Sequence, residues 1–452
     1  MKITFTIMFL CFLAFNAAVA QDSKILTLES AVQLALEKNQ TLVLAKNSVD
    51  LAQSGALSSF GNFLPNLSFI GGFSRQLTWK NSAGGVTYIN NVPIPTAGGT
   101  TNDAFNTVST GLQSRMTLFN GFVTNYNYKS AQAIEDAAAF GYTRQQQATI
   151  YGTHQLFLTV VKNYEIMKVS EDNLIQARGQ LERIKESNKV GAVAIADVYR
   201  QQTIVGQDEF TLIQAQNNFE KAKADVLAYL GVPLDTAYQF DFSGIPTDID
   251  TTEFPALNAQ YKDFKSLVAQ AIEKRPDHLS NIASFNSSEA AASSAKAAYF
   301  PTVSASANYG LNNDAFNTLK DNRSLSVGLN VSLPIFNGFQ TQTGIQTAQV
   351  QQQNAELKVQ QSQLTVTVDL RKALLDLEAF EREVISTQTS VVSSTMDKKI
   401  AEEKYSLGSG TILDLQLATA NYTTAMSNKV NAVNDFLLAK KNLELAMGTL
   451  AR

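Results

Sequence analysis

The chain has one cysteine, two histidines, one tryptophan and nine prolines in 452 residues. Cys11 lies within residues 1–20, where Lys2, a mostly apolar run from Ile3 to Phe15 and the small residues Ala18-Val19-Ala20 read as a secretory leader removed before Gln21. The exported chain then has no thiol, which excludes disulfides, thiolate metal sites and cysteine nucleophiles. No cysteine stands at the cleavage point, so no lipid anchor is expected there. His154 and His278 are too far apart to form a helical metal pair, and no enclosed constellation for Ser-His-Asp chemistry is visible, so neither a cofactor nor an enzymatic activity is expected. No glycine loop followed by lysine is present to cradle phosphate. Long apolar runs are also missing: the leader's falls short of the roughly 20 residues a membrane-spanning helix needs, and no later stretch comes closer. Charge is sparse, at 17% of residues, and the net balance of −4 argues against a nucleic-acid surface.

What the chain does have is duplication. Phe119-Asn120-Gly121-Phe122 recurs as Phe336-Asn337-Gly338-Phe339, an offset of 217 positions. The same offset carries Gly191 onto Gly408, Asp197 onto Asp414 and Gly231 onto Gly448 without a gap. A second offset of 236 carries residues 30–65 onto 266–301, with Pro65 matching Pro301. Two fixed offsets mean two structural repeats. Their difference places 19 extra residues between Pro65 and Phe119, the mark of an exposed loop tip. The expected organisation is a first repeat over 21–231 with a β-hairpin at 65–119 and a helical tip near 191. A linker over 232–264 and a second repeat over 265–452 follow, the latter with a hairpin at 301–335 and a tip near 408.

Residues 28–62 and 264–297 read as helices, the first ended by Pro65. The period then changes to two. Leu67, Phe69, Phe73, Leu77 and Trp79 alternate with mostly Ser, Asn, Gln and Gly. In the second copy Leu325, Val327, Leu329, Val331 and Leu333 alternate with Ser324, Ser326, Gly328, Asn330 and Ser332. Strands of about a dozen residues are expected, with a Gly/Asn/Pro-rich loop over about 81–104. Membrane-spanning strands need about 9–11 residues, and a Ser/Asn/Gly face suits a water-filled lumen. A soluble sheet with one wet face remains the alternative. Four strands cannot close a barrel, so closure requires several chains. After each Phe-Asn-Gly-Phe a helical register runs on, from Val123 to Asn188 without proline, for about 100 Å. Glycine turns at Gly191 and Gly408 reverse it into return helices at 194–230 and 412–449. The Pro233, Pro246 and Pro255 segment reads as a loop-rich belt joining the halves.

This layout resembles the TolC-like outer-membrane efflux ducts over nearly all of the exported chain. The residues that carry the resemblance are Tyr405-Ser-Leu-Gly408 followed by Thr411-Ile-Leu-Asp414-Leu, Val190-Gly191 followed by Ala194-Ile-Ala-Asp197, and the strand exits Leu-Phe-Asn-Gly-Phe (118–122) and Pro-Ile-Phe-Asn-Gly-Phe (334–339). The resemblance implies a mixed α and β membrane protein. Three chains would build a 12-stranded outer-membrane barrel, continued by a periplasmic α-helical barrel. It implies a passive exit duct of a tripartite efflux or type I secretion system, gated at its periplasmic tip. The implied partners are a periplasmic adaptor, an inner-membrane pump (RND, ABC or similar) and outer-membrane lipid. A periplasmic coiled-coil scaffold without channel activity is the other reading of the same helices.

Asp197 and Asp414 stand near the starts of the return helices, where a carboxylate favours the positive end of the helix dipole. The resemblance adds a ring of six tunnel-mouth acids, which would raise one another's pKa and attract cations. Where the family pattern has an arginine after the second tip glycine this chain has Gly410, and where it has a further acid, Leu417. An ionic lock is therefore not expected, whereas hydrogen bonding by Tyr405 is. Gly191 and Gly408 are expected at positive φ, in a tip tight enough to enter a partner's groove. Pro65, Pro301, Asn120, Gly121, Asn337 and Gly338 are the expected pivots between helix and strand.

Overall fold

The computed structural model describes residues 24–234 and 238–451; the leader lies outside them. The first copy runs β1 (Lys24–Leu26), α1 (Leu28–Lys38), α2 (Gln40–Gly61), β2 (Asn66–Ser82), β3 (Gly85–Ile89), β4 (Val92–Thr96), β5 (Gly99–Phe119), α3 (Val123–Lys189) and α4 (Ile195–Leu230). Between the copies lie β6 (Tyr238–Phe240) and α5 (Phe254–Gln260). The second copy runs α6 (Phe264–Lys274), α7 (Pro276–Ala297), β7 (Thr302–Asn313), β8 (Arg323–Ser332), α8 (Gln340–Ser406) and α9 (Ile412–Ala446). The chain divides into two compact units. One takes the described residues of 1–48, 139–280 and 360–452; the other takes 49–138 and 281–359.

The first unit is helical. On α8 the buried positions Val366, Leu370, Ala373, Leu377, Glu381 and Val384 recur at three- and four-residue spacing, a coiled-coil seam, apolar but for Glu381, on an otherwise polar rod. The 217 offset maps this seam onto α3, where Thr149, Thr153 and Val160 are buried at the matching places. Thr153 satisfies its hydroxyl by donating to the Thr149 carbonyl at 2.8 Å. Each copy builds the same core. Ala31, Ala35, Val160, Ala222 and Val226 pack together in one, and Leu267, Ala271, Leu377, Ala439 and Leu443 in the other. The connecting segment packs onto both cores. Phe240 and Phe242 stand against Phe157, with ring centroids 5.8 and 6.1 Å away, and Phe254 lies 5.2 Å from Phe436.

Both leading helices break, at positions the 236 offset relates: Asn39 between α1 and α2, and Arg275 between α6 and α7. Helical periodicity had made 28–62 one helix. Pro276 explains the second break, but no proline or glycine marks the first. Asn39 holds it from both sides. Its Oδ1 accepts from the Leu42 amide at 3.1 Å, and its Nδ2 donates to the Tyr229 carbonyl in the last turn of α4 at 2.8 Å. One buried side chain thus satisfies an orphan donor of one helix and an orphan acceptor of another. Gly231 sits on the same joint at φ 70°, where a Cβ would lie 2.7 Å from the Lys38 carbonyl oxygen. Its counterpart Gly448, at φ 72°, presses on Lys274 and Arg275. Asn39→Leu is expected to cost about 1–3 kcal/mol by stranding both backbone groups, readable as a lower urea midpoint of the detergent-solubilised protein.

In the second unit β2, β5, β7 and β8 form one antiparallel sheet in that order. The two expected hairpins are therefore joined, through β5 and β7, and β2 and β8 are the open edges. Cross-strand register sorts the sheet into an apolar face and a polar one. Leu67, Phe69, Phe73, Leu112, Tyr309 and Val327 share the first; Ser68, Gln113, Asn308 and Ser326 share the second. Gly111 pairs with Gly310 on the polar face, where a Cβ on Gly111 would meet the Tyr309 carbonyl oxygen at 2.5 Å. In the second hairpin's loop, the 3-10 turn Phe316–Asp321 folds back so that Phe316 stacks on Phe73, and Val108, the cross-strand partner of Phe73, is buried.

The first hairpin corrects the expected strand length and loop. β2 and β5 have 17 and 21 residues, against 12 and 10 for β7 and β8. Most of 81–104 is strand, with β3 and β4 paired at its end. Asn90 and Asn91, at φ 53° and 65°, make the tight two-residue turn that matches strand twist. Pro93 and Pro95 are tolerated because β4 pairs with β3 alone.

Candidate functional site

Two constellations draw on the expected site residues. The first is the pivot at each end of the strands. Where α2 and α7 approach the sheet they tighten into i→i−3 bonds: Leu64 N–H donates to the Gly61 carbonyl at 3.0 Å and Phe300 N–H to the Ala297 carbonyl at 3.0 Å. Pro65 and Pro301 follow, each immediately before its strand. At the strand exits two successive residues are left-handed, Gly121 and Phe122 at φ 67° and 69°, then Gly338 and Phe339 at 66° and 67°. Glycine accepts this conformation freely, whereas phenylalanine loses about 1–2 kcal/mol in it. Ring pairing compensates in part. Phe119 and Phe122 meet edge to face at 5.7 Å, and Phe336 and Phe339 at 5.6 Å. Asn120 and Asn337 fix the helix that follows. Their Nδ2 atoms donate to Thr124 and Thr341 Oγ1 at 2.8 Å, and their Oδ1 atoms accept from the amides of the same threonines at 3.3 and 3.4 Å. Sequence reasoning missed the left-handed phenylalanines; only the repetition of the whole tetrapeptide pointed to them.

The second constellation is the paired helical tips. Gly191 and Gly408 are left-handed, at φ 77° and 70°. Ala192 N–H donates to the Ser187 carbonyl and Ser409 N–H to the Lys404 carbonyl, both at 2.9 Å, so each long helix ends in a Schellman motif. Leu181, Ile184, Val198, Ile412 and Leu415 form one apolar cluster beneath both tips, with Tyr405 packed against it. The residues just before the tip glycines, Val190 and Leu407, are related by the 217 offset and are each 81% exposed. The sequence reading named both within the tip motifs but gave neither a role of its own.

The two tip acids differ. Asp414 closes a capping box: its amide N–H donates to Thr411 Oγ1 at 3.2 Å, while its Oδ2 accepts from the Thr411 amide and hydroxyl at 3.0 and 2.7 Å. Those hydrogen bonds hold its carboxyl below the usual carboxylate range, the opposite of the mutual rise expected in an acid cluster. Asp197 has Ala194 where Asp414 has Thr411, and pairs instead with Arg200 at 3.4 Å. Within one chain the Tyr405 hydroxyl is buried with no hydrogen-bond partner among the described residues, and burial with the nearby Asp197 carboxylate pushes its pKa up. Around it Arg183, Arg200 and Lys399 alternate with Glu186, Asp197 and Glu402, so the tip cleft is of mixed sign. Higher in the same bundle Lys398 is buried, hydrogen-bonded to Gln176 and 4.5 Å above the Tyr422 ring.

His278 Nδ1 and Ser362 Oγ lie 2.6 Å apart beside Asp277, but His278 is 1% exposed and Asp277 is engaged by Arg275 at 2.6 Å. The trio is a packed helix joint. Among the described residues no cluster of His, Cys, Asp and Glu suits a metal, and no helix is long and apolar enough to cross a membrane.

The family described as outer membrane efflux protein matches residues 31–232 and 267–449, one block on each copy. The chain belongs to that family. It is an outer-membrane protein with its helical part in the periplasm. Outer membrane protein TolC of Salmonella enteritidis is 22% identical over 360 residues, covering 76% of this chain and 70% of its own. The pyoverdine export outer membrane protein OpmQ of Pseudomonas aeruginosa is 22% identical over 388 residues, covering 85% and 77%. The crystal structure of the Campylobacter jejuni CmeC outer membrane channel superposes with a TM-score of 0.75 at 19% identity, over 93% of this chain and 85% of that one. VceC of Vibrio cholerae gives 0.73 at 16%, over 93% and 96%. These similarities extend through both copies, and the fold is that of the family's channels.

Proposed function

We propose that three copies of this chain close their sheets into a 12-stranded barrel, and that the assembly is the passive outer-membrane exit duct of a tripartite efflux or type I secretion system. The observation that carries this is the pair of open sheet edges, read with the internal repeat. β5 of the first copy pairs with β7 of the second, so repeat symmetry assigns β8 the β2 of another chain. The pivots agree. A Cβ on Gly121 would meet Phe300 Cβ at 2.6 Å and the Ala297 carbonyl oxygen at 2.7 Å, whereas the same spot on Gly338 is open. The 236 offset turns Ala297 and Phe300 into Gly61 and Leu64, which another chain would bring against Gly338. An apolar outer face towards lipid and a Ser/Asn/Gly inner face towards water complete the reading.

The tips are the proposed gate and docking point. Val190-Gly191 and Leu407-Gly408 would enter grooves of a periplasmic adaptor serving an inner-membrane pump. Small molecules are the favoured cargo, since OpmQ carries pyoverdine export in its name. Purified in detergent, the protein is expected to give threefold particles with a hollow bore; particles that stay monomeric in water would favour the coiled-coil scaffold instead. Of the tip acids, Asp197 is the one proposed to face passing cations, because the carboxylate of Asp414 is spent on its helix cap. Asp197→Asn should weaken block by a trivalent cation added on the periplasmic side about tenfold. Asp414→Asn should leave block nearly unchanged and weaken the helix cap, read as a slightly lower urea midpoint.

A further inference from the structure

We infer that Arg115 forms a cationic collar inside the barrel, a weak site for multivalent anionic solutes at the junction with the helical duct; this rests on the duct reading above. On the polar face, the four-stranded part of the sheet carries Ser, Thr, Asn, Gln and Gly, with Ile70 its one apolar side chain and Arg115 its one charge. Lys80 and Asp103 share the face but lie in the two-stranded ribbon beyond it. Arg115 is level with Asn66, the first residue of β2, and with Ser306 on β7, so it stands at the helix-proximal end of the sheet. Its side chain is exposed, and among the described residues no ion pair is formed by it.

Nothing nearby in sequence neutralises it. Residues 51–74, 104–114, 116–128, 297–313 and 324–355 contain no Asp, Glu, Lys or Arg. These segments supply the strands of the four-stranded sheet and the helix ends next to them. Such a stretch of neutral wall leaves the guanidinium field unscreened by fixed charge, and threefold closure would place three of them around one bore. Rings of arginine or lysine select anions in pores, and a charged constriction in low-dielectric walls concentrates counter-ions. Guanidinium also matches carboxylate and phosphate oxygens with paired donors, so the ligand class is a multivalent carboxylate or phosphate.

The test uses the full-length protein reconstituted in a planar bilayer, with inorganic tripolyphosphate added on the barrel side, away from the periplasmic tip. Wild type is expected to show current block, and Arg115→Gln to require about tenfold more tripolyphosphate for the same block. Arg115→Lys should retain part of it, and the reversal potential in a salt gradient should shift towards cation preference in Arg115→Gln. Block and reversal potential unchanged in Arg115→Gln would overturn the collar while leaving the duct standing. Failure of wild type to conduct at all would overturn the duct reading and the collar with it. The Arg115 side chain is exposed, and the apparent size of each variant in detergent checks that folding and assembly are intact.

Discussion

Arg275→Met is expected to destabilise the protein by about 3 kcal/mol, because it leaves a buried junction with acids and no cation. Arg275 is 1% exposed at the break between α6 and α7. Its guanidinium reaches Asp277 at 2.6 Å and Asp369 at 3.0 Å, tying the break to α8, while Arg144 on α3 approaches Asp277 at 3.9 Å. Burial by itself would raise the Asp277 carboxyl, but hydrogen bonding from Arg275 and the charges of Arg144 and Arg275 outweigh it and hold the pKa below the usual range. A folded-state pKa below the unfolded one stabilises the protein fully above the unfolded value, near 4, and the gain is lost as pH falls through the folded value. Wild type should therefore lose stability on acidification below about pH 4, and Arg275→Met should show a flatter acid limb along with its lower midpoint. Arg275→Lys should not restore the midpoint, since one ammonium cannot span two carboxylates as a planar fork does. Urea titrations at pH 7 and at a series of pH values below about 4, followed by circular dichroism, measure both effects.

Gly121→Val is expected to cost about 3–5 kcal/mol, and Gly338→Val about 1–2 kcal/mol of protomer stability, although the two glycines have the same conformation. Both substitutions incur the left-handed strain of a β-branched residue. Only at Gly121 does the new Cβ also collide with fixed atoms, Phe300 Cβ at 2.6 Å and the Ala297 carbonyl oxygen at 2.7 Å. Backbone oxygen cannot rotate aside, so the end of α7 must shift. The shortfall at Gly338 should reappear on assembly, as a trimer that dissociates at lower temperature on semi-native gels. Equal losses at the two sites in the assembled protein, with equal protomer stability, would contradict the assignment of Gly61 and Leu64 to the partner side.

Much of this architecture is legible in the sequence because two copies report on each other. Period-two alternation separated the apolar and polar faces of β2, β7 and β8, and the tetrapeptide repeat located both strand exits. What escaped depends on partners far along the chain. Asn39 breaks a helix with no local breaker because Tyr229, 190 positions away, accepts its amide. The β3–β4 hairpin was hidden by Pro93 and Pro95, which speak against a strand until the edge position is known. Tyr405 carries the same side chain as the resemblance leads one to expect, yet its hydroxyl is buried with no hydrogen-bond partner among the described residues, while Asp197 pairs with Arg200. At the second tip, Thr411 and Asp414 spell a capping box in plain sequence, while Ala194 removes it from the first.

The recurrence of the same strained phenylalanine at Phe122 and Phe339 bears on ancestry. A costly backbone choice shared by both halves is what duplication of a half-length forebear would leave behind. Six such forebears would equal three of the present chains, but every subunit in that ring would have been alike. Fusion freed alternate positions to diverge, and they have: Asn39 against Arg275, Ala194 against Thr411, Gly61 against Ala297. The present molecule holds two kinds of joint and two kinds of tip in one chain, an asymmetry that no homohexamer of identical halves could encode.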